Sequence, residues 1–510
     1  MAGTGPFVLG IDCGTQSLRA AAFDLAGHLV GSASCACPVD LPRVGWAEQR
    51  VEDWWTAARQ AVPRCLAEAG LGSEDIAGLS IDCTSCTVVA ATRDGAPLRP
   101  AILWMDQRAH EEAAEIAATR HPRLRYAGST LSAEWMLPKA LWLQRHEPRV
   151  FDQADLIVEG IDWLTHRLTG EWALSLNNVT CRWNYMQSEG GWSEDLLEQA
   201  ALPGLRAKWP GVILAMGQRA GGLTREAAAA LGLRAGTPVA EGGIDAYTSM
   251  LGVGAVRPGR MALVMGSSTC HLALCRGPAF GSRLWGPFPE CLLPGTWVLE
   301  GGQTSTGSIV KWFAETLAGA AVADEGADLY ETLDREAARV GIGAEGLILL
   351  DYFQGNRTPI GDPLARGAIW GLSLKHGPAH LLRAIYEGTA FGARLILDDM
   401  HRAGHTPEAI YACGGGSRST LWLQIHADVC RTPIHLTQEP EATALGTAVC
   451  AAVGAGLFAG AADASEAMAR VVRTIEPRGD VAADYDFCYD KYVRSYAALR
   501  DLMHEVARRQ

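Results

Sequence analysis

Lysine is nearly absent from this chain, with five among 510 residues. Arginine carries most of the basic charge, and acids outnumber bases to leave a net charge of −13. A chain of this balance lacks the basic surface that general nucleic-acid binding requires, because that affinity comes from neutralising phosphates. It does not exclude a small anionic ligand held in a locally positive site. No apolar run is long enough to cross a bilayer, and the opening MAGTGPFVLGID has neither the basic segment nor the cleavage pattern of a signal peptide. A cytoplasmic protein with no membrane partner and no nucleic-acid partner is the expectation. The fourteen cysteines have no regular spacing and read as small buried thiols. CTSC, from Cys83 to Cys86, has the spacing of a redox or metal pair. No second pair and no nearby histidine completes a tetrahedral site, so it too reads as structural.

Two nucleotide motifs are also missing. No lysine follows a glycine, which excludes a Walker A loop. GIGAEG at 341–346 satisfies G-x-G-x-x-G but precedes the apolar LILLDYF, where the dinucleotide fingerprint must follow a strand and open a helix.

What is present is a globular composition, 48% apolar and 20% charged, long enough for two domains. FVLGID, LRAAAFD and LVGSAS read as a β-meander, followed by a helix over EDWWTAARQAVPRCLAEAG and strands at IAGLSIDC and TVVAATRDG. Helical segments follow at 108–120 and over MLPKALWLQRHEP, where Pro138 fits a first turn. GRMALVMGSSTCHLALC repeats the strand, small-residue turn, strand device of the opening, about 250 residues later. AIYACGGGSRSTLWLQIHADVC then reads as strand, glycine turn, helix. A duplicated α/β architecture is expected, divided near 250–258, into residues 1–254 and 255–510.

Hairpin turns offer another way to cradle phosphate, since their backbone N–H groups converge on an anion. DCGTQS supplies Asp12 for a hydrated Mg²⁺ and small residues that admit a phosphate, with Arg19 adding positive charge. GSSTC at 266–270 supplies a second turn, and GGGS at 414–417 a third. Each taken alone reads equally well as a structural hairpin; three together point to a nucleotide.

GIDCGTQSLR, WMDQRA, PKALWL, GGIDAYTSMLG, GSSTC, EGGQTSTGSIVKWF and ACGGGSRSTLWLQ together resemble the FGGY carbohydrate kinases of the actin-like superfamily. The composite GAIWGLSLKHGPAHLLRAIYEG is similar to that family's C-terminal signature, and EATALGTAVCAAVGAG to its late glycine helix. IDCTSCTVV, SAEWMLPKALWL and DYFQGNRTPIGD resemble the ribulokinase branch, with FQGNRTP and GPFPECLLPGTWVLEGGQ closer to the D-ribulose type. The GQ form of segment 80–86, associated with xylulose and polyol kinases, is missing.

The resemblance implies an α/β fold of two actin-like (ribonuclease H-like) domains with the site in their cleft. The first domain would carry the sugar and the catalytic base and the second would bind ATP. Asp245 matches the catalytic aspartate, and the glycines before it permit close backbone approach. An unperturbed aspartate, with a pKa of about 3.9, is a weak base, so positioning the hydroxyl counts as much as removing its proton. Read by itself, Asp245 is also a plausible helix cap. Asp12 matches the Mg²⁺ acid; Thr15, Gln16 and Arg19 the first phosphate turn; and Ser267 and Ser268 the second. Gly307 lies where nucleotide phosphates pass, and Gly415, Gly416 and Ser417 match the adenosine-side turn. The sugar positions map to Thr84, Ser85, Glu134, Trp135, Arg182 and Glu300. Arg182 replaces the lysine expected in ribulokinases. Asp106 and Arg108 either touch substrate or pair with each other.

The implied activity is ATP- and Mg²⁺-dependent phosphorylation of a five-carbon ketose, D-ribulose first. L-ribulose, xylulose or polyol kinases of the same mechanism are the near alternatives. A non-catalytic sugar sensor is the distant one; it would lack Asp12, Asp245 or the phosphate turns, and all are present. Relatives that form dimers leave a homodimer open.

Overall fold

The computed structural model describes residues 5–128, 131–318 and 329–509. In the first sheet, β1 (Phe7–Cys13), β2 (Ser17–Phe23) and β3 (Leu29–Ala36) form the expected meander, and β4 (Ile76–Cys83) lies parallel to β1. The edge is completed by β5 (Arg219–Gly222) and β6 (Pro238–Ala240), giving the order β5-β6-β4-β1-β2-β3. β1 and β4 are almost wholly buried, which is why they read as continuous apolar runs.

The second sheet repeats this plan. β7 (Arg260–Met265) pairs antiparallel with β8 (Thr269–Cys275), which pairs antiparallel with β10 (Trp297–Gln303); β9 (Trp285–Pro289) lies outside β10. β11 (Ala409–Cys413) runs parallel to β7, as β4 does to β1, followed by β12 (Ile434–Thr437) and β13 (Val471–Ile475). The duplication expected from the two small-residue turns is realised in strand pairing for the six strands of the first sheet, and β9 is an addition in the second.

There are two hydrophobic cores, and the chain does not divide between them at one point: the first takes in its own sheet and also Leu272, Leu274 and Val298 of the second. Helix α2 (Ala442–Gly454), far along the sequence, packs in the first core with helix α1 (Asp245–Gly252). The approach is backbone to backbone: a Cβ on Gly446 would lie 1.7 Å from the Thr248 carbonyl oxygen, and one on Gly252 1.8 Å from that of Ala442. Gly10 of β1 serves the same end, since a Cβ there would meet the Ala444 oxygen at 2.2 Å. These glycines bring the start of α1 and the end of β1 to one place, where the candidate site lies.

Candidate active site

A cavity of about 1070 Å³ opens between the two halves. Thr15, Gln16 and Glu134 line it from one side, and Ser267, Ser268 and Arg357 from the other. A volume of this size takes a sugar and part of a nucleotide.

Three carboxyl groups gather beside it. Asp12, near the end of β1, stands in register with Asp82 on the neighbouring parallel strand β4. Thr447 of α2 donates to Asp82 Oδ2, whereas Asp82 Oδ1 is buried with no partner. Burial, then the charges of Asp12 and Asp245, hold Asp82 well above the carboxylate range. Burial also raises Asp12, with Arg19 opposing it. Asp245 is pushed up to about 7, first by burial and then by Asp12. The weak base expected from its ordinary value is therefore poised at neutral pH instead.

Asp245 is the first residue of α1, with Ile244 as its N-cap, and among the described residues its carboxylate accepts from the next amide, Ala246 N, at 2.7 Å. The capping reading is thus not the geometry found. The glycines before it are required by contact: a Cβ on Gly242 would lie 2.0 Å from the Ile81 oxygen, and one on Gly243 2.9 Å from Asn177 Oδ1.

Each hairpin turn is closed by a backbone hydrogen bond, spanning three residues in the first and two in the second. Gly14 N donates to Ser17 O at 3.0 Å, and Gly266 N to Ser268 O at 2.9 Å. Thr15 is fixed by Trp104 Nε1, which donates to its Oγ1 at 2.9 Å, while the Gln16 side chain is exposed. Ser267 O accepts from Thr306 N and Ser308 N, both at 3.0 Å, which docks the second turn on the start of the helix Gly307–Phe313. Gly307 cannot carry a side chain there, because a Cβ would meet the Gly266 oxygen at 2.4 Å. Gly415, Gly416 and Ser417 form a tight turn closed by Ser417 Oγ on Gly414 O at 2.7 Å. Arg19 does not stand free for phosphate: it is ion-paired with Glu441, the residue before α2.

The sugar-side residues are brought together, with two corrections. Thr84 shares a 2.9 Å hydroxyl hydrogen bond with Thr87, and the turn that holds Thr84 and Ser85 is pinned by Glu159, which accepts from Cys86 N at 2.7 Å. Arg182 and Glu300 are ion-paired, and Tyr247 OH donates to Glu300 at 2.8 Å. Trp135 is 1% exposed, edge-on to Trp285 at 5.6 Å, so the cavity wall is formed by Trp285 and not by the expected Trp135. Asp106 is fully buried, accepting from Ala47 N at 2.6 Å and from Arg108 Nε and Nη2 at 2.8 and 2.7 Å. Of its two readings the structure shows the pair with Arg108, and both carboxylate oxygens are taken.

Comparison with known proteins settles the family. The N-terminal domain model of the FGGY family of carbohydrate kinases matches residues 7–252, and the C-terminal domain model matches residues 261–455. The chain belongs to this family. It is an ATP-dependent carbohydrate kinase of α/β, two-domain actin-like fold. Ribulokinase of Anoxybacillus flavithermus is 34% identical over 96% of this chain and 93% of its own. The human FGGY carbohydrate kinase domain-containing protein is 32% identical, covering 96% of both chains. Xylulose kinase from Rhodospirillum rubrum superposes with a TM-score of 0.84 at 32% identity, over 98% of this chain and all of that one, the whole length being covered at 100%.

Within this FGGY kinase, sequence reasoning missed Asp82, Trp285 and Arg357. Asp82 carried a signal, since an acid ends β4 as Asp12 ends β1. Trp285 carried none, because only the packing of the two halves turns it toward the cavity; Arg357 lies inside FQGNRTP, a stretch singled out for its resemblance, but nothing local gave its contacts. No helix among the described residues is long and apolar enough to cross a membrane, and the described cysteines are all free.

Proposed function

We propose that this kinase transfers the γ-phosphoryl group of ATP to the 5-hydroxyl of D-ribulose, giving D-ribulose 5-phosphate and ADP. The observation that carries the reading is the position of Asp245. It lies within electrostatic reach of Asp12 at the first phosphate turn and of the Arg182–Glu300 pair on the sugar side. A carboxylate between a phosphate cradle and a polyhydroxyl pocket is where an attacking hydroxyl must lose its proton.

In this reading Asp245 orients the hydroxyl and accepts its proton. Residues 1–254 carry the base and most sugar contacts, namely Thr84, Ser85, Glu134 and Arg182, with Glu300 reaching in from residues 255–510. Trp285 supplies an apolar wall for the sugar's C–H face. Thr15, Gln16, Ser267, Ser268 and Gly307 surround the phosphates, and Gly415, Gly416 and Ser417 the adenosine. Arg19 acts on the first turn through its pair with Glu441 and its charge near Asp12.

The oxygen donors also fit Mg²⁺. Asp12 and the unpartnered Asp82 Oδ1 are hard ligands, and among the described residues no group of three His, Cys, Asp or Glu forms a cage. Asp12 would hold the ion largely through its water. Its chemistry there is to offset the charge on the phosphate oxygens.

The ribulokinase relatives and the form of segment 80–86 favour ribulose; the 32% identical xylulose kinase structure keeps xylulose as the second reading. The test is sugar-stimulated ADP release across D-ribulose, L-ribulose, xylulose and polyols. The highest kcat/KM is expected for D-ribulose, and Asp245→Asn is expected to remove at least about 10²-fold of turnover. A preference for another sugar overturns the substrate; no stimulation by any sugar overturns the reading.

A further inference from the structure

Arg357 lines the cavity, yet nothing above gives it a role. Its backbone is rigidly held by the second half of the molecule. Asn356 and Asp362 exchange backbone hydrogen bonds, each 2.8 Å, and Asn356 Oδ1 accepts from Ile360 N at 3.0 Å. Thr358 Oγ1 accepts from Gly302 N at 2.7 Å and donates to Gly302 O at 3.2 Å. Asp362 is anchored in turn by Tyr496 OH at 2.6 Å and His504 Nε2 at 2.7 Å. The arginine stem crosses Gly302, where an added Cβ would press on Arg357 Cδ at 3.3 Å.

From this support the guanidinium crosses the cleft. Its Nη2 donates to Glu134 Oε1 at 3.1 Å, on the segment that precedes the helix Met136–His146 of the first half. It lies 5.3 Å from the centre of the Trp285 ring, whose centre is 5.0 Å from the Arg182 guanidinium. Two arginines and two glutamates thus surround the tryptophan that walls the sugar pocket. Arg182 is ion-paired with Glu300, and Arg357 with Glu134.

Glu134 is buried on the short segment before that helix, and its ion pair is with Arg357 of the other half. The bond from Arg357 fixes Oε1 and leaves Oε2 as a directed acceptor. Because one partner belongs to each half, that acceptor is in place only when the halves stand as close as they do here. We propose that Arg357 is a positioning residue that acts through Glu134, directing its carboxylate to a sugar hydroxyl and coupling sugar binding to closure of the cleft. This rests on the sugar-kinase reading above. Closure that depends on sugar keeps water from taking the place of the sugar hydroxyl at the γ-phosphate, which limits futile ATP hydrolysis.

The test compares wild type with Arg357→Ala, Arg357→Lys, Glu134→Gln and the Ala/Gln double variant, in sugar-stimulated and sugar-free ADP release. For Arg357→Ala, sugar KM is expected to rise about tenfold or more, while KM for ATP moves less than about threefold. Sugar-free hydrolysis is expected to rise as a fraction of the stimulated rate. The double variant should be no worse than the poorer single one, since both lose the same bond. Arg357→Lys, which keeps the charge and tolerates folding, should recover part of the loss. A fall in kcat with unchanged sugar KM would place Arg357 on the phosphoryl group and overturn the proposal, as would full additivity. If the wild type prefers another sugar, the ribulose reading fails and Arg357 is judged on the KM for that sugar. A wild type stimulated by no sugar overturns both.

Discussion

Arg182 meets Glu300 through one guanidinium nitrogen: Nη2 lies 2.7 Å from Oε1 and 2.8 Å from Oε2. Its Nε is buried with no partner. Toward Glu300 the arginine is therefore used as a point charge and not as a planar fork, while Nη1 donates to Cys181 O at 3.2 Å. The departure from the lysine expected at this position is smaller in geometry than in chemistry.

Arg182→Lys is accordingly expected to fold, because it keeps a cation for buried Glu300, and to keep activity within about tenfold. The space it opens beside Trp285 should change the ratio of kcat/KM for ribulose and xylulose. Arg182→Met is expected to cost about 3–5 kcal/mol, because Glu300 is then left buried and uncompensated. Thermal unfolding and the two-sugar comparison check both.

Asp245 provides a pH prediction. A base must be ionised to act, so kcat/KM for the sugar should fall as pH drops through about 7, with a slope of one. Stability should run the other way. The folded pKa is above the unfolded value of about 3.9, so between about 4 and 7 the folded state binds more protons and loses stability as pH rises. Asp245→Asn should reduce that slope, to which Glu387 (about 7) and Asp351 (about 6) also contribute, and raise the melting temperature at pH 8 while lowering turnover at least about 10²-fold. A melting temperature unchanged at pH 8 would contradict the strain assigned to this carboxyl.

Gly446→Ala tests the crossing of α1 and α2. The added methyl would meet the Thr248 oxygen at 1.7 Å, and a backbone carbonyl in a helix cannot turn aside. A loss of about 3 kcal/mol is expected, at the upper end of overpacking costs. Separating the helices also moves the start of α1, so kcat/KM should fall together with the melting temperature, as measured by thermal unfolding and ADP release on the same preparation.

Much of this site was legible in local sequence. DCGTQS and GSSTC each follow an apolar strand, and a turn of small residues after such a strand has few conformations to choose from. The same holds for GGID, whose glycines are dictated by the Ile81 carbonyl and the Asn177 side chain against them. The repeated strand, turn, strand order announced the duplicated sheets, and the missing Walker A lysine excluded the commonest phosphate loop. These are properties of short segments, and short segments fold much as they read.

Tertiary structure alone decided the rest. Which tryptophan walls the cavity depended on the packing of Trp135 behind Trp285, and the two indoles are 150 residues apart by their numbers in the chain. Asp106 was withdrawn from the cavity by Ala47 and Arg108, and Arg19 was claimed by Glu441 from the far end of the sequence. The raised pKa of Asp245 belongs to no motif: it comes from enclosure and from Asp12, brought near by the crossing of α1 and α2. Residue type and spacing set what a side chain is able to do. Burial and distant partners set its charge state and direction, because desolvation and ion pairing depend on what the whole chain places around it.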